Sequence, residues 1–433
     1  MTAEIGILNN QGVALAADSA VTISRNGKQK VLNSANKLFN LVKGYPVGLM
    51  LYNNGSFLGI PWDVIIDDYR KKCNKKKQFD TIFEYANDFF HKLNDTKYVS
   101  NDAYNLKCFS NLNTLILEVI DKTTQDLSRK YPNREITQNE ARECFNEHLD
   151  EYVTYLGNLE FCADFNSDDL EIIINNPDSK MIVQNCLTKN IVFGITEEIE
   201  RKVNDINALL QCKNVFLDYS GIVISGYGEA ELFPSLFEFY VEGIINGKLK
   251  YTLVKQSQIS SRKPADIIPF AQQEMVQTIL NGIDPDLNKV LTSNLSLFVE
   301  QLGGKAMSIF NCSNCRINDT QIEQLKKEST EEIVKMMDFI NKQSKEKYTD
   351  PVLNMVASLP KDELASMAET LVNLTSFKRK ITMDAETVGG PIDVAVISKS
   401  EGFIWMKRKL YFSKELNSYY DLYNKDRGVM GNE

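Results

Sequence analysis

The spacing of apolar and polar residues is typical of strands in some regions of the chain and of helices in others. The segments AEIGILN and GVALAADSAVTI are separated by Asn9-Asn10-Gln11-Gly12, whose Asn and Gly residues favour a tight hairpin turn. The segments KLFNLV and PVGLMLY form a second candidate pair around Lys43-Gly44. The first sixty residues are therefore predicted to form two strand pairs.

Helical periodicity follows from about 57 to 212, where apolar residues recur at spacings of three and four. Strand pattern returns at 213–255, with Asn246-Gly247 as another hairpin turn. A second helical stretch is predicted from about 265 to 376, and GGPIDVAVISKSEGFIWMKRKLYF predicts a last strand pair that turns at Ser400-Glu401-Gly402. A two-sheet sandwich with helices on both outer faces satisfies this order of elements.

The predicted fold class is therefore α+β, as a four-layer αββα sandwich with large helical insertions. The predicted core comprises residues 1–256 and 361–412, with a helical insertion at about 80–212. Residues 257–360 are predicted to be a further helical insertion, and 413–433 a polar tail.

Charge and hydropathy exclude several classes of function. The net charge of -9 and the pI of about 5.2 argue against a general nucleic-acid binder and against a protein that binds anionic membranes. No apolar run reaches the roughly 18 residues that a membrane span needs. The first residues carry the acidic Glu4 and no basic region, so no signal peptide is expected and a cytoplasmic location is predicted.

The cysteine and histidine residues limit the available chemistry further. Of the eight cysteines only Cys312 and Cys315 form a CxxC, and the nearest other cysteine is Cys212, so no metal is predicted. The two histidines, His91 and His148, lie in helical segments, and no GxSxG nucleophile elbow occurs. A hydrolase built on this chain is expected to work without histidine, metal or cofactor.

Removal of Met1 would give Thr2 both a hydroxyl and a free α-amine. An α-amine has an ordinary pKa of about 7.7–8.0 and can act as a base near neutral pH. An adjacent N-terminal amine is a recognised way to activate a threonine hydroxyl as a nucleophile. A lysine would lower the pKa of that amine, and a carboxylate would keep the lysine charged; Lys37 and Asp18, at predicted strand ends, supply both.

This arrangement of Thr2, IGI, GVALAADSAVT and Lys37 in KLFNL resembles the start of a proteasome β-type subunit, in the N-terminal nucleophile hydrolase superfamily. The bacterial protease HslV and its relatives also begin Met-Thr. The resemblance implies that Thr2 is the nucleophile, Asp18 the orienting acid and Lys37 the catalytic cation.

Weaker features of the same resemblance lie later in the chain. GIVISGYGEAE resembles the family's strand followed by G-S-G, with Tyr227 after Gly226 where the family has a supporting serine. DAETVGG resembles its D-x-x-S-G-G segment, in which Asp384 and Thr387 would be supporting residues. The family's small-Gly pair at the oxyanion hole is replaced by LMLYNNG, so the resemblance leaves the backbone N–H of Leu51 or Tyr52 for that role.

Three functional hypotheses follow. The first is a threonine-type peptidase that cleaves amide bonds through an acyl-enzyme on Thr2, with a peptide or protein as substrate. The second is a non-catalytic proteasome-fold scaffold or partner-binding protein, and the third is a related hydrolase of a non-peptide amide. The resemblance also raises a homo-oligomer and an unfoldase as candidate partners.

Overall fold

A computed structural model describes residues 3–25, 28–73, 78–94, 98, 100–310, 319–382, 389–413, 415–417 and 419–420. The chain divides into two compact units, the first formed by Met1–Leu38 and Gln258–Ser413 and the second by Phe39–Ser257 and Lys414–Glu433. Each unit contains an antiparallel sheet and several helices, so the predicted α+β class is confirmed. The predicted domain boundaries at 256, 361 and 412 stay a prediction.

The strands of the described residues form two larger sheets and two short hairpins. They are β1 (Ala3–Asn9), β2 (Gly12–Ala17), β3 (Val21–Arg25), β4 (Lys28–Leu32), β5 (Leu38–Asn40), β6 (Val47–Asn53), β7 (Ser56–Phe57), β8 (Ile60–Pro61), β9 (Ser220–Gly226), β10 (Ser235–Ile245), β11 (Lys248–Gln258), β12 (Ala265–Ala271), β13 (Asp393–Ser398) and β14 (Gly402–Lys407). The first sheet has the order β12-β1-β2-β13-β14 and the second the order β11-β10-β9-β6-β5.

The helices lie mostly between these strands. They are α1 (Trp62–Lys72), α2 (Ile82–Leu93), α3 (Asn101–Lys130), α4 (Gln138–Asn158), α5 (Ser167–Asn175), α6 (Pro177–Asn190), α7 (Glu197–Cys212), α8 (Glu274–Asn281), α9 (Pro285–Phe310), α10 (Asp319–Ser344), α11 (Asp350–Val356) and α12 (Lys361–Ile381), with a π-helical turn at Lys345–Thr349. No helix in this part of the chain is both long and apolar enough to cross a bilayer.

In the first unit, the predicted hairpins form where the turn residues place them. Asn9 faces Gly12 across the turn from β1 to β2, and the side-chain oxygen of Asn9 accepts the N–H groups of Gln11 and Gly12. Ser398 faces Gly402 across the turn from β13 to β14. The side chains of Ala3, Ile5 and Ile7 lie in one apolar cluster with those of α12, among them Leu364 and Ala368. The strands β1 and β2 are buried on both faces.

In the second unit, the sheet has its own apolar core. The side chains of Leu49, Ile222 and Phe239 lie in one cluster with Trp62 of α1 and Phe89 of α2. The Asn246-Gly247 turn joins β10 and β11, and both of its residues have positive φ, 49° and 76°, as such a tight turn requires. The helices α3, α4, α6 and α7 form a second cluster, which includes Leu112, Phe145 and Leu187.

One prediction for the first unit was wrong. The stretch from about 265 was predicted to be helical, but the structure has the strand β12 there, and helix begins only at α8. Pro269 lies opposite Ile5 in β12, which is the edge strand of its sheet. Proline has no N–H to donate, so it is tolerated at an edge where only one side of the strand is paired.

Candidate functional site

Asp18 lies directly after β2 and accepts hydrogen bonds on both carboxylate oxygens. Its Oδ1 accepts the amide N–H of Ala3 at 3.2 Å and the ammonium of Lys37 at 2.5 Å. Its Oδ2 accepts the N–H of Ala20 at 3.3 Å and that of Gly389 at 3.0 Å. The carboxylate is thus held in one orientation by three backbone groups and one lysine.

Lys37 is buried between two carboxylates, of which only Asp18 was expected from the sequence. Its Nζ lies 2.5 Å from Asp18 Oδ1 and 3.3 Å from Glu4 Oε1. Lys37, Asp18 and Glu4 are only 5%, 1% and 2% exposed. A lysine buried to this degree is expected to have paired charges beside it, because desolvation of an isolated ammonium is costly.

Glu4 was missed because it lies in a strand whose neighbours are apolar. In a half-buried strand a single charged residue between Ala3 and Ile5 is expected to face water, so the local pattern offered no reason to place Glu4 at the site. The available signal was that Leu8 shares a face with Glu4, which makes both faces of β1 largely apolar. We define Glu4, Asp18 and Lys37 as the Lys37 cluster.

The glycine pair at 389–390 is held beside the Lys37 cluster. The N–H of Gly389 donates to Asp18, and its carbonyl accepts the N–H of Ser19 at 3.2 Å. Gly390 has a φ of +77°, and a Cβ there would lie 2.8 Å from the Cβ of Asn33. The chain therefore needs a residue without a side chain at 390 for this segment to approach Asn33.

Three of the predicted site residues lie outside the described residues. These are Thr2, Asp384 and Thr387, so their proposed roles stay predictions. The nitrogen that donates to Asp18 is nevertheless the nitrogen of the Thr2–Ala3 peptide bond, because Ala3 follows Thr2 in the chain. The Lys37 cluster is thus in contact with the peptide group through which Thr2 joins the chain.

Gly226 and Tyr227 lie at the end of β9 in the second unit. Gly226 has a φ of +141°, and a Cβ there would lie 1.9 Å from the carbonyl oxygen of Pro46. The N–H of Tyr227 donates to that same oxygen at 3.0 Å. The Tyr227 side chain is buried, and burial raises the pKa of its hydroxyl to about 12. These contacts explain why a glycine and a buried tyrosine occupy these two positions. The supporting role of Gly226 and Tyr227 at a catalytic site stays a prediction.

Leu51 and Tyr52, the candidates for the oxyanion hole, lie in β6 opposite Ile222 and Gly221. The Leu51 side chain is part of the apolar core of the second unit. The Tyr52 hydroxyl donates to the carboxylate of Glu238, and burial, with the nearby Glu238 charge, raises the pKa of Tyr52. Packing and this hydrogen bond thus explain the side chains of Leu51 and Tyr52. The role of either backbone N–H in an oxyanion hole stays a prediction.

The histidines and cysteines add no second candidate site. His91 is exposed on α2, and the ring of the buried His148 lies within 3.3 Å of the carboxylates of Asp126 and Glu151. Cys312 and Cys315 lie outside the described residues. Among the residues that the structure describes, no group of three or more His, Cys, Asp or Glu side chains could hold a metal ion.

Comparison with known proteins corrects one prediction. No family model matches the chain, and no curated protein matches it. Solved structures that match include Anbu from Hyphomicrobium sp. strain MC1, with 8% identity, a TM-score of 0.29 and 99% of both chains covered. The Anbu (Gly-1) mutant from the same strain has 9% identity and a TM-score of 0.27, and the match covers 100% of this chain and 99% of that one.

The assignment to the proteasome β-subunit and HslV family is therefore wrong, because the neighbours found are Anbu proteins. The assignment rested on short matches such as the ADS segment and KLFNL. At TM-scores this low the likeness to Anbu does not establish the fold or an activity either. The functional argument rests on the Lys37 cluster.

Proposed function

We propose that the chain is a threonine-type N-terminal nucleophile hydrolase that cleaves amide bonds, with a peptide as the first substrate class to test. The single observation that supports this proposal is the buried Lys37 cluster, whose Asp18 accepts the N–H of the Thr2–Ala3 peptide bond. A nucleophile at residue 2 would therefore be joined covalently to a group that contacts the catalytic carboxylate.

The hydrogen-bonding capacity of Lys37 favours a chemical role. An ammonium has three N–H donors. Among the described residues, the partners of Lys37 are the carboxylates of Asp18 and Glu4. At least one donor therefore remains for a group that these contacts do not include, such as the Thr2 hydroxyl or amine.

The proposed reaction begins when Thr2 Oγ attacks the amide carbonyl carbon and the π electrons move to the carbonyl oxygen. The hydroxyl proton passes to the Thr2 α-amine, and the tetrahedral intermediate expels the leaving amine, which takes that proton. Water then attacks the resulting ester with the α-amine as base, and the C–Oγ bond breaks to release a carboxylic acid and restore Thr2. Lys37 stabilises developing negative charge, and Asp18 holds Lys37 charged and oriented.

Further parts of the proposal come from the sequence. The order of strands and helices along the chain favours the four-layer αββα arrangement. A cytoplasmic location, a homo-oligomer and an unfoldase partner complete the hypothesis. The bulky side chains at Leu51 and Tyr52 favour a second candidate, a non-catalytic scaffold, because an oxyanion hole needs close approach of substrate to the backbone.

The test combines intact mass with labelling by an acylating electrophile such as a β-lactone. We expect loss of Met1, covalent labelling at Thr2, no labelling of Thr2→Ala and retained labelling of Thr2→Ser, which keeps both the hydroxyl and the amine. Quantitative retention of Met1, or equal labelling of Thr2→Ala and wild type, would contradict the proposed function and leave the scaffold.

A further inference from the structure

We infer that a cavity in the second unit is a binding site for a small, neutral, polyhydroxylated molecule such as a monosaccharide. The cavity lies beside the first turns of α3 and α6, near the end of α7 and the turn from β10 to β11. Its volume is about 190 Å³, well above the roughly 10–15 Å³ that one water molecule needs. None of the Lys37 cluster lines it, so the inference does not depend on the proposed function.

Amide side chains supply most of the polar groups around this cavity. They belong to Asn101, Asn105, Asn176, Asn246 and Gln211. Each amide has two N–H donors and an acceptor oxygen, and a hydroxyl group likewise both donates and accepts. The described lining also includes the carboxylate of Asp178 but no lysine or arginine, which disfavours an anionic ligand such as phosphate. A ligand rich in hydroxyl groups therefore matches these side chains.

Two buried side chains that line the cavity have donors left over. Gln211 is 7% exposed, and its Oε1 accepts the hydroxyl of Tyr104, but its Nε2 has no acceptor in the described part of the chain. Ser179 is 5% exposed, and its Oγ accepts Nδ2 of Asn207 at 2.7 Å, but its own proton has no described acceptor. A buried donor without an acceptor is costly, so both donors require an acceptor inside the cavity.

Three isoleucine side chains form the apolar part of the wall. Ile173, Ile182 and Ile244 all line the cavity, and all three are buried. Water alone would satisfy the polar groups but would leave these apolar side chains in contact with water, which is unfavourable. A sugar ring presents C–H groups on its faces and hydroxyls around its edge. It can therefore contact the isoleucines and the amides at the same time, as in binding pockets that combine apolar walls with a few polar groups.

The experiment titrates the full chain with D-glucose, D-galactose, N-acetyl-D-glucosamine and myo-inositol, and detects binding by saturation-transfer-difference NMR. We expect saturable binding of at least one of these probes. Asn105→Phe places a ring in the cavity from α3 and should weaken binding by about tenfold or more, or about 1.4 kcal/mol. Leu106→Phe is the matched control, because Leu106 is the next residue of the same helix, is 69% exposed and is not part of the described lining. This control should bind like wild type.

Asn246→Gly gives a second variant that leaves the fold intact. Asn246 has a φ of 49°, and glycine adopts positive φ without strain, so the turn keeps its conformation while the amide is lost. We expect binding of the same probe to weaken by about two- to tenfold, as for the loss of one hydrogen bond. Thermal unfolding of each variant shows that it is folded.

Three results would overturn the inference. The first is the absence of saturable binding of all four probes to wild type, which would make the cavity a hydration site. The second is wild-type affinity in both Asn246→Gly and a folded Asn105→Phe. The third is tighter binding of inorganic phosphate or of ethanolamine than of every sugar and polyol, because the site would then recognise a charge.

Discussion

Each unit of the molecule buries a lysine beside a carboxylate, and the two lysines differ in what occupies their N–H donors. Lys250 of β11 is completely buried, and its Nζ lies 2.6 Å from Glu242. It also donates to the carbonyl oxygens of Leu210 at 2.6 Å and Val215 at 2.7 Å, and the ring of Phe216 lies 4.8 Å away. All three donors of this ammonium are used within the fold.

Lys37 is buried almost as deeply but has a different set of partners. Its described partners are both carboxylates, Asp18 and Glu4, and no backbone carbonyl in the described chain accepts from it. Lys250 therefore joins the end of α7 and the segment after it to the sheet, as a structural link. Burial alone therefore does not identify a catalytic lysine. The number of ammonium N–H donors that the fold leaves without an acceptor is the more informative property.

The largest expected effect is on stability, from Lys250→Met. This change removes the buried counter-ion of the Glu242 carboxylate and leaves the carbonyl groups of Leu210 and Val215 without this donor, which costs about 3–5 kcal/mol of unfolding free energy. Urea denaturation measures it. Lys255→Met, on the same strand and exposed, is the control and should cost less than about 1 kcal/mol. Equal losses of unfolding free energy in the two variants would contradict a structural role for Lys250.

Lys37→Met should destabilise less and abolish labelling of Thr2. Asp18 keeps its three backbone donors, so we expect a loss of about 1–3 kcal/mol of unfolding free energy, which urea denaturation measures. A folded Lys37→Met variant that labels at the wild-type rate breaks the comparison, because Lys37 would then be structural like Lys250.

How much of this the sequence could predict depends on the range of each interaction. The hairpins were predictable because Asn9, Gly12 and Gly247 act within a few residues of their own turns. Asp18 and Lys37 were named from local motifs, and the structure brings them together. The Asp18 contact with Gly389 joins residues 371 positions apart, and no local pattern encodes it.

Burial was the other property that the sequence could not reveal. Glu4 is a single charge in an otherwise apolar strand, and Lys250 lies in the alternating segment KLKYTLV. Both patterns are typical of a charge that faces water, yet both residues are buried. The stretch from about 265 was predicted to be helical, yet the strand β12 forms there, with Pro269 at the edge of its sheet. In each case tertiary packing overrides the local preference.

Gly390→Ala tests how closely the glycine segment must approach the Lys37 cluster. A Cβ there meets Asn33 at 2.8 Å in addition to the positive φ, so we expect a loss of about 1–3 kcal/mol and slower labelling of Thr2. Gly402→Ala is the matched control, with a φ of +73° and nothing within 4 Å of its Cβ. The difference between the two variants isolates the contact with Asn33, and no difference would show that this approach is adaptable.

The smallest expected effect concerns Glu238, a buried carboxylate that accepts a tyrosine hydroxyl. Glu238 of β10 accepts the Tyr52 hydroxyl, and burial raises the pKa of Glu238 above its ordinary value. A raised pKa in the folded state means that Glu238 stabilises the fold fully below its unfolded pKa of about 4.3. That contribution is lost as the pH rises through the folded pKa, at no more than about 1.4 kcal/mol per pH unit.

Glu238→Gln replaces the titrating group by a neutral one of similar shape that can still accept the hydroxyl. The difference in unfolding free energy, wild type minus variant, should therefore fall as the pH is raised above about 4.3. Urea unfolding between pH 4 and pH 8 measures this, with the exposed Glu197→Gln as a control that should give a flat difference. A flat difference for Glu238→Gln as well would mean that Glu238 ionises at the same pH in both states. The fold would then accommodate an ionised, buried Glu238 whose carboxylate accepts a tyrosine hydroxyl. That result would weaken the argument that Asp18 and Glu4 require Lys37 as their counter-ion.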